Sequence, residues 1–427
     1  MKLYSDFSRT ELEAERDLLS RQLEEWKAKG LKLNMARGKP CPEQLALSQT
    51  MMDVLSSKVD LSCEDGTDCR NYGVLGGIEE CKRLLAAIIE VDPDKIIIFG
   101  NSSLNVMYEC ISRSMTHGVM GSTPWMKLDR VKWLCPVPGY DRHFAITEYF
   151  GIEMINIPMH ADGPDMDMIE RLVAEDETIK GIWCVPKYSN PDGITYSDSV
   201  VHRFAKLQPK AKDFRIYWDN AYSVHHLRAD KQDFLLEILN ECERAGNPDL
   251  VYKFTSTSKI SFPGSGIAAL ACSRANQADI MRQMSIQTIG YDKVNQLRHV
   301  RFFRDLYGVR AQMYRHADIL RPKFELVQRV LHEQLDGTGA AVWTDPHGGY
   351  FISMTTTPGC AAAVIARCAD CGVTLTQAGA AYPYHRDPDD SNIRIAPSFP
   401  SLEELDQATR ILALSVRLET VLRLLEG

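Results

Sequence analysis

Lys259 lies in the segment of this sequence that most favours covalent chemistry. Four hydroxyl residues, 255–258, precede it, and a turn rich in proline and glycine, 262–266, follows it. A lysine amine becomes nucleophilic when burial or a neighbouring cation lowers its pKa, and Ser256 and Ser258 could donate hydrogen bonds to a phosphate. The motif fits a Schiff-base lysine beside a phosphate site, although by itself it also fits a surface lysine in a Ser/Thr loop.

Three further motifs hold residue types that suit the same chemistry. Asp219 follows the apolar run Arg215–Trp218, and ligands of α/β proteins bind where strands end. Asn190 lies in the segment 186–193, whose Asn-Pro and Asp-Gly pairs are also typical of a surface turn. Arg394 lies inside an apolar segment, and its planar guanidinium matches a carboxylate. Taken singly, these residues could equally be a helix cap, a turn and a structural ion pair.

Read together, these motifs resemble the class I aminotransferases, fold-type-I enzymes that use pyridoxal 5′-phosphate (PLP). The segments NSSLNVMY, PKYSNPDG, DKVNQLRHVRF and SNIRIAPSFP are similar to the type Ic subgroup of aspartate aminotransferases. The resemblance extends from about residue 38 to the end of the chain. The residues that carry it, in the order that the family shows, are Asn190, Asp219, Tyr222, Lys259 and Arg394.

The resemblance implies a role for each residue around the cofactor ring. Lys259 would bind PLP through its amine and move the proton between the substrate Cα and the cofactor C4′. Asp219 would keep the pyridine nitrogen protonated, which makes the ring an electron sink. Asn190 and Tyr222 would bond the 3′-oxygen of the ring. Tyr140 would stack on the ring, although an ordinary loop aromatic is the alternative for this residue.

The resemblance also implies where the cofactor phosphate binds. Asn101, Ser102 and Ser103 follow a strand-like run and open a predicted helix, and backbone N–H groups at a helix start favour a phosphate dianion. Ser256 and Ser258 would add their hydroxyls.

Two features bear on how complete this phosphate site is within one chain. Tyr72 has the Tyr-x-x-x-x-Gly spacing of the family's tyrosine that reaches the phosphate of the other subunit, so the resemblance implies a homodimer with shared active sites. The family usually carries an arginine a few residues after the lysine, and this sequence has Gly266 there. Another cation, or hydroxyls and amides alone, would then bind the phosphate.

For the substrate, the resemblance implies that Arg394 binds the α-carboxylate, with Gly38 packed near it and Asn190 in contact. Fixing that carboxylate orients the Cα–H bond. A dicarboxylic substrate needs a second cation, because a buried carboxylate without one is costly. Lys39, beside Gly38, is the preferred candidate, and the others are Arg37, Lys293 and Arg298. Of these, Arg37 and Lys293 are expected to be solvated surface charges.

The expected activity is transfer of the amino group of L-aspartate to 2-oxoglutarate, by a ping-pong mechanism that gives oxaloacetate and glutamate. Alternatives are an aminotransferase for alanine or aromatic amino acids, and a PLP lyase or decarboxylase on the same fold. A PLP-binding transcription regulator is disfavoured, because the segment before the resemblance is short and the net charge is −8. A scaffold without catalysis is disfavoured because Lys259, Asp219 and Arg394 are all present.

Alternating helices and apolar runs must position these residues. After about residue 78, helical windows such as Ile78–Glu90 alternate with short apolar runs, which predicts the buried strands of a mostly parallel sheet. The runs are Lys95–Phe99, Val131–Cys135, Glu153–Ile157, Gly181–Val185, Arg215–Trp218 and Val251–Phe254.

The two ends of the chain read differently. Residues 8–29 predict a helix with a capping box of Thr10 and Glu13. Leu297–Gln334 predicts a long helix, and the strand-like segments GGYFISMTT and IRIAPS precede a closing helix over Leu402–Leu425.

These patterns, with the resemblance, predict an α/β fold of two parts. A large PLP-binding domain with a mostly parallel central sheet, the aminotransferase fold type I, would carry a smaller α+β domain built from both chain termini. The predicted boundaries are 1–60 for the N-terminal arm and part of the small domain, 61–315 for the large domain and 316–427 for the C-terminal small domain.

Composition narrows the class of protein. The 427 residues are 44% hydrophobic and 25% charged, which is ordinary globular usage. Because 49 basic residues face 57 acidic ones, we expect neither nucleic acid nor a membrane surface as a partner. No apolar run approaches the roughly 18 residues of a membrane span, and we see no secretory signal.

The twelve cysteines show no disulfide framework. Without a signal peptide they are expected to be reduced thiols of a cytoplasmic protein. One CxxC pair, Cys368 and Cys371, has no second pair and lies in a helix-like stretch, so we expect no metal site there.

Overall fold

An eight-stranded, mostly parallel sheet forms the centre of residues 2–426, the part of the chain that the computed structural model describes. In spatial order its strands are β2 (Ile96–Ile98), β9 (Ala268–Ala271), β8 (Val251–Ser256), β7 (Arg215–Asp219), β6 (Ile179–Cys184), β3 (Lys132–Val137), β4 (Glu153–His160) and β5 (Gly163–Pro164). The strands from β4 through β3, β6 and β7 to β8 pair in parallel. The outer strands β5, β9 and β2 pair antiparallel.

The central strands are covered on both faces. Strands β6, β7 and β8 are buried along their whole length. Side chains alternate between the two faces of a strand, and Ile182 and Ile216 belong to one core cluster while Trp183 and Tyr217 belong to another. Strands buried on both faces read as continuous apolar runs, which is why these segments could be recognised in the sequence.

Helices flank the sheet and build the ends of the molecule. Within residues 2–426 they are α1 (Arg9–Lys27), α2 (Pro42–Ala46), α3 (Glu79–Ile89), α4 (Ser103–His117), α5 (Asp141–Tyr149), α6 (Met166–Glu175), α7 (Asp198–Ala205), α8 (Ile238–Arg244), α9 (Arg274–Gln287), α10 (Lys293–Phe303), α11 (Leu306–Leu335), α12 (Ala361–Asp370) and α13 (Leu402–Glu426).

The two ends of the chain meet in a smaller α+β unit. The short strand β1 (Leu33–Asn34) pairs in parallel with β12 (Val373–Thr374), and α1 packs against α13. The strands β10 (Ala341–Trp343), β11 (Ile352–Thr356) and β13 (Asn392–Ile395) form an antiparallel sheet in this unit. The α/β fold is as expected, while the domain boundaries at residues 60 and 315 stay predictions.

The 30-residue helix α11 belongs to both halves of the molecule. Near its start Val309 and Met313 lie in the core beside the large sheet. Further along, Phe324 and Val327 lie in the core of the smaller unit. One continuous helix therefore connects the two cores.

The first helix, Arg9–Lys27, lies within the predicted range 8–29, but its capping box differs from the predicted one. Its capping box consists of Ser8 and Glu11, not Thr10 and Glu13. The Ser8 backbone N–H donates to the Glu11 carboxylate at 2.6 Å, and the Glu11 N–H donates to the Ser8 hydroxyl at 3.3 Å. Both pairs have the spacing of a capping box, and the helix uses the earlier pair.

The helix predicted over Leu297–Gln334 is wrong in one respect, because it is two helices. Arg304 has φ +68°, a left-handed conformation that ends α10. The side chain of Asp305 then accepts the N–H of Gly308 at 3.0 Å and caps α11. Aspartate is a preferred N-cap residue. The break between the two helices is hard to recognise in the sequence, because the apolar periodicity continues on both sides of it.

No helix within residues 2–426 is both long and apolar enough to cross a membrane. All twelve cysteines are free and buried, and burial raises the pKa of the Cys368 thiol to about 12. Over the same residues, no group of His, Cys, Asp and Glu side chains is arranged to hold a metal ion.

Candidate active site

A cavity of about 220 Å³ opens at the carboxyl ends of the central strands. Asp219 is the last residue of β7 and Ser256 the last residue of β8, which is where parallel sheets bind ligands. Nine of the residues predicted for the cofactor line this cavity: Ser102, Ser103, Tyr140, Asn190, Asp219, Tyr222, Ser256, Ser258 and Lys259.

Lys259 lies in a loop that a buried histidine holds in place. The Lys259 Nζ lies 4.8 Å from the centre of the Tyr222 ring. His299 of α10 contacts the hydroxyls of Thr257 at 3.1 Å and Ser261 at 2.8 Å through Nε2. Burial lowers the pKa of His299 to about 4, so the ring is neutral at pH 7. Its Nδ1 faces the Asn295 carbonyl at 2.9 Å, which assigns the proton to Nδ1 and makes Nε2 the acceptor.

Asp219 offers one free carboxylate oxygen to the cavity. Its side chain is buried, and Oδ2 contacts His143 Nε2 at 3.0 Å. Its Oδ1 has no hydrogen-bond partner within the described chain. His143 is stacked on the Trp183 indole with ring centres 4.5 Å apart. A buried carboxylate oxygen without a partner is costly, so this site fits a ligand that brings an N–H to Oδ1.

Hydroxyl groups and a helix start form one end of the cavity. Helix α4 begins at Ser103, with Ser102 as its preceding cap residue. The Ser256 hydroxyl donates to Ser258 Oγ at 3.1 Å, and the Ser258 hydroxyl contacts the Asn101 carbonyl at 3.2 Å. Free N–H groups at a helix start together with hydroxyls fit a phosphate dianion. The side chain of Asn101 points elsewhere and donates to the Pro263 carbonyl at 3.4 Å.

The glycine at position 266 is closely surrounded. A Cβ on Gly266 would lie 3.1 Å from Thr257 Oγ1 and 3.2 Å from the Asn101 carbonyl oxygen, so the loop leaves little room for an arginine side chain. Arg298 of α10 instead donates to the Ser265 hydroxyl. Its position stabilises the loop from outside the cavity.

Arg394 lies next to the cavity on β13 and is already hydrogen-bonded. Its Nη1 donates to Asp141 Oδ1 at 2.8 Å and to Asn190 Oδ1 at 3.3 Å, and Nη2 contacts Thr376 Oγ1 at 3.3 Å. The guanidinium carbon lies 5.0 Å from the centre of the Phe351 ring. It therefore lies between the cavity wall and an aromatic face.

Gly38 approaches the same aromatic ring. A Cβ on Gly38 would lie 2.4 Å from Phe351 Cζ, so any larger residue would displace the ring that lies over Arg394. The N-terminal loop therefore does pack near Arg394, with Phe351 between them.

The predicted second cations lie outside the cavity. Lys39 is exposed, and its Nζ lies 3.8 Å from the centre of the Phe399 ring. Arg37 is exposed as well. Lys293 is buried, not solvated as expected, and donates to the Gly73 carbonyl at 3.0 Å, so its charge has a structural use.

Two aromatic residues of the cavity keep their hydroxyls neutral. Burial raises the pKa of Tyr140 to about 12, with Lys259 acting in the opposite direction. Burial also raises the pKa of Tyr222 well above its usual range. Both phenols can therefore donate a hydrogen bond at pH 7.

Sequence reasoning missed His143 and His299. His143 lies three residues after Tyr140 at the start of α5, and that spacing on a helix puts both on one face. The signal for His299 was weaker, since only the structure brings α10 against the Lys259 loop.

Comparisons with known proteins point to one family. The aspartate amino-transferase family matches residues 7–426. An aspartate aminotransferase of Corynebacterium glutamicum is 45% identical over 391 residues, 91% of this chain and 90% of that protein. The crystal structure of an aspartate transaminase from Corynebacterium glutamicum aligns with a TM-score of 0.96 at 43% identity, covering 99% of both chains.

More distant structures share the fold alone. LysN, an α-aminoadipate aminotransferase of Thermus thermophilus complexed with N-(5′-phosphopyridoxyl)-L-leucine, aligns with a TM-score of 0.73 at 18% identity, covering 95% of both chains.

Proposed function

The chain belongs to the aspartate aminotransferase family, and we propose on that premise that it transfers the amino group of L-aspartate to 2-oxoglutarate. The products are oxaloacetate and L-glutamate. It is a PLP-dependent aminotransferase. The observation that supports the proposal most is the single cavity that holds Lys259, the free Oδ1 of Asp219 and the helix start at Ser103.

PLP, when bound, supplies a carbonyl that takes up the amine and a ring that stabilises negative charge at the substrate Cα. Lys259 would carry the proton from the substrate Cα to the cofactor C4′. Asp219 Oδ1 holds a proton on the nitrogen that faces it, and His143 orients the carboxylate through Oδ2. Tyr222 and Asn190 bind the polar edge of the ring.

Arg394 binds the α-carboxylate and so fixes the direction of the Cα–H bond. Its guanidinium can contribute two parallel N–H donors to a carboxylate. For the side-chain carboxylate we retain Lys39, which lies in the loop that carries Gly38. Its side chain is exposed, and its amine lies over the half-buried Phe399 ring, from which it can move toward a substrate.

We also propose a homodimer with shared active sites. Tyr72 is 81% exposed and does not line the cavity of its own chain. Ile286 and Ile289 are exposed too, at 89% and 60%. Large exposed apolar side chains fit a contact with a second copy of the chain.

The proposal places the enzyme in the cytoplasm. All twelve cysteines are free thiols in the described chain. Free thiols suit a reducing compartment.

The half-reaction with aspartate tests the activity. The holoenzyme is mixed with L-aspartate and no keto acid, the near-visible absorbance of the cofactor is recorded, and oxaloacetate is assayed with malate dehydrogenase and NADH. One oxaloacetate per bound cofactor is the expected result. Alanine in place of oxaloacetate would indicate a decarboxylase. If the absorbance does not change and no product forms, the proposal is refuted.

The same assay tests substrate choice. L-alanine and L-phenylalanine are compared with L-aspartate in the wild type and in Lys39→Ala. We expect Lys39→Ala to raise KM for aspartate far more than for alanine. An equal effect on both substrates would remove Lys39 from the side-chain site.

A further inference from the structure

The arginine proposed to bind the substrate already holds a carboxylate of its own chain. Arg394 Nη1 and Asp141 Oδ1 are 2.8 Å apart, and the side chains are 8% and 26% exposed. This is the shortest hydrogen bond of the guanidinium, since its contacts with Asn190 and Thr376 are 3.3 Å long. A largely buried ion pair therefore lies beside the cavity, next to the wall residue Asn190.

Nη1 is the guanidinium nitrogen that bonds a residue of the cavity wall. It bonds Asn190, which lines the cavity, and Asp141, which follows the cavity residue Tyr140. Nε is buried away from solvent, and the Phe351 ring covers one face of the guanidinium. A substrate carboxylate that takes two N–H donors beside Asn190 would compete with Asp141 for Nη1.

Asp141 is free to leave and Arg394 is not. Arg394 lies on β13, paired with Ser353 of β11. Asp141 is the first residue of α5, where a rotation about χ1 moves the carboxylate toward solvent. Its negative charge stays favourable there, because helix N-termini carry a partial positive charge.

We propose that Asp141 is an internal competitor that pairs with Arg394 when no substrate is bound and exchanges for the α-carboxylate of the substrate. The proposal rests on the proposed function for the role of Arg394. One ion pair breaks and one forms, so the buried guanidinium never stays unpaired, which would be costly. When the keto-acid product leaves, the exchange runs in reverse and Asp141 helps to release it.

A positioning role for Asp141 predicts the opposite change in carboxylate affinity. If Asp141 only positions Arg394, its removal would leave the guanidinium misplaced and weaken carboxylate binding. If Asp141 competes, its removal strengthens binding. The equilibrium affinity for a carboxylate therefore separates the two roles.

The test uses Asp141→Asn and succinate, a dicarboxylate that has no amine to transfer. Calorimetry on the holoenzyme gives the dissociation constant. We expect it to fall about tenfold, the order of magnitude of one hydrogen bond to a charged group. Asp198→Asn is the matched control, because Asp198 is the first residue of α7 and is exposed, and it should leave the constant unchanged.

Arg394→Met supplies the second half of a double-mutant cycle. In that background the substitution at Asp141 should no longer matter, and a persisting gain would point to general charge repulsion and overturn the proposal. An unchanged or larger dissociation constant in Asp141→Asn overturns it as well, as does an absence of binding in both proteins. Asp141→Ser, which suits a helix start, replaces Asp141→Asn if the latter does not fold.

Succinate binding does not depend on transamination. If Asp141→Asn tightens succinate binding while aspartate gives no oxaloacetate, the exchange stands and the proposed function fails. If aspartate reacts and succinate affinity is unchanged, the proposed function stands and the exchange fails.

Discussion

The Asp219 carboxylate has one hydrogen-bond partner in the described chain and can accept a second. His143 Nε2 satisfies Oδ2, while Oδ1 is buried without a partner. Leaving a buried acceptor unpaired costs about 1–3 kcal/mol. The cost is recovered when a ligand N–H reaches Oδ1, so the site is prepared for a heteroaromatic nitrogen that carries a proton.

His143→Ala removes the contact that orients this carboxylate. We expect kcat to fall about tenfold to a hundredfold, the size of a hydrogen bond to a charged group, and the affinity for PLP to fall with it. Steady-state kinetics and a fluorescence titration of the apo protein with PLP measure both quantities.

The controls for this prediction lie in the chain itself. His143→Gln can place an amide N–H near Oδ2 and should recover part of the rate. His160→Ala removes an exposed histidine on β4 and should have no effect. Wild-type kcat in His143→Ala would show that Asp219 needs no such partner.

Most of the cofactor residues could be predicted because several motifs, each weak alone, occur together in the order that the resemblance requires. Lys259, Asp219 and Asn190 sit in segments with special turns or strand ends, and the structure brings them to one cavity. Lys293 could not be judged in the same way. Its contact with the Gly73 carbonyl joins residues that are distant in sequence, and composition does not reveal such contacts.

At the level of elements, the Lys259 loop depends on α10. The neutral His299 accepts hydrogen bonds from two hydroxyls of the loop and faces the carbonyl of Asn295 on its own helix. Protonating His299 would place a buried cation against hydroxyls that donate to it. The loop is therefore sensitive to acid.

The stability of the fold should reflect this sensitivity. The pKa of His299 is about 4 in the folded protein, below the usual value near 6.5. Between these values the unfolded chain binds more protons, so stability is full above about pH 6.5 and falls as the pH drops toward 4. At pH 5 the loss amounts to about 2 kcal/mol for this one group.

Urea unfolding at pH 7 and pH 5 measures this loss. His299→Asn should lose less stability between the two pH values than the wild type does. His117→Asn changes an exposed histidine and should keep the wild-type difference. An identical pH dependence in all three proteins would contradict the assignment.

Strands that are buried along their whole length could be predicted well from the sequence. The break between two consecutive helices and a short strand of small residues could not. The strands β6, β7 and β8 could be predicted because each is a continuous apolar run. The break at Arg304 did not, because apolar periodicity resumes at once in α11. The antiparallel strand β9 was missed because its four residues, Ala268–Ala271, give no β-propensity signal.

At the level of the whole molecule, the meeting of the two chain ends was only inferred from the resemblance. Periodicity describes neighbours within one segment, whereas β1 and β12 are separated by more than 300 residues. The same holds for the contact of Gly38 with Phe351. Such contacts depend on the complete fold.

Shared active sites predict complementation between two inactive variants. Lys259→Ala lacks the amine, and Tyr72→Ala lacks the residue proposed to reach the partner's phosphate. In a mixed dimer, the subunit with Lys259 receives Tyr72 from the other, so one intact site returns. Activity should reappear when the two proteins are mixed and allowed to exchange subunits.

The activity of the mixture is compared with the activity of each variant alone. Activity recovered up to about a quarter of wild type fits random pairing, since half of the dimers would carry one working site of two. Light scattering during size-exclusion chromatography confirms the dimer. No recovery from a mixture that forms mixed dimers would contradict the sharing of sites.

Helix α11 extends over about 45 Å, at 1.5 Å per residue, and its two ends lie in different hydrophobic cores. Melting either core would expose apolar side chains on one end of this helix and fray its backbone hydrogen bonds. The free energies of the two halves are thereby coupled. Two structural halves should therefore melt together, as one calorimetric transition.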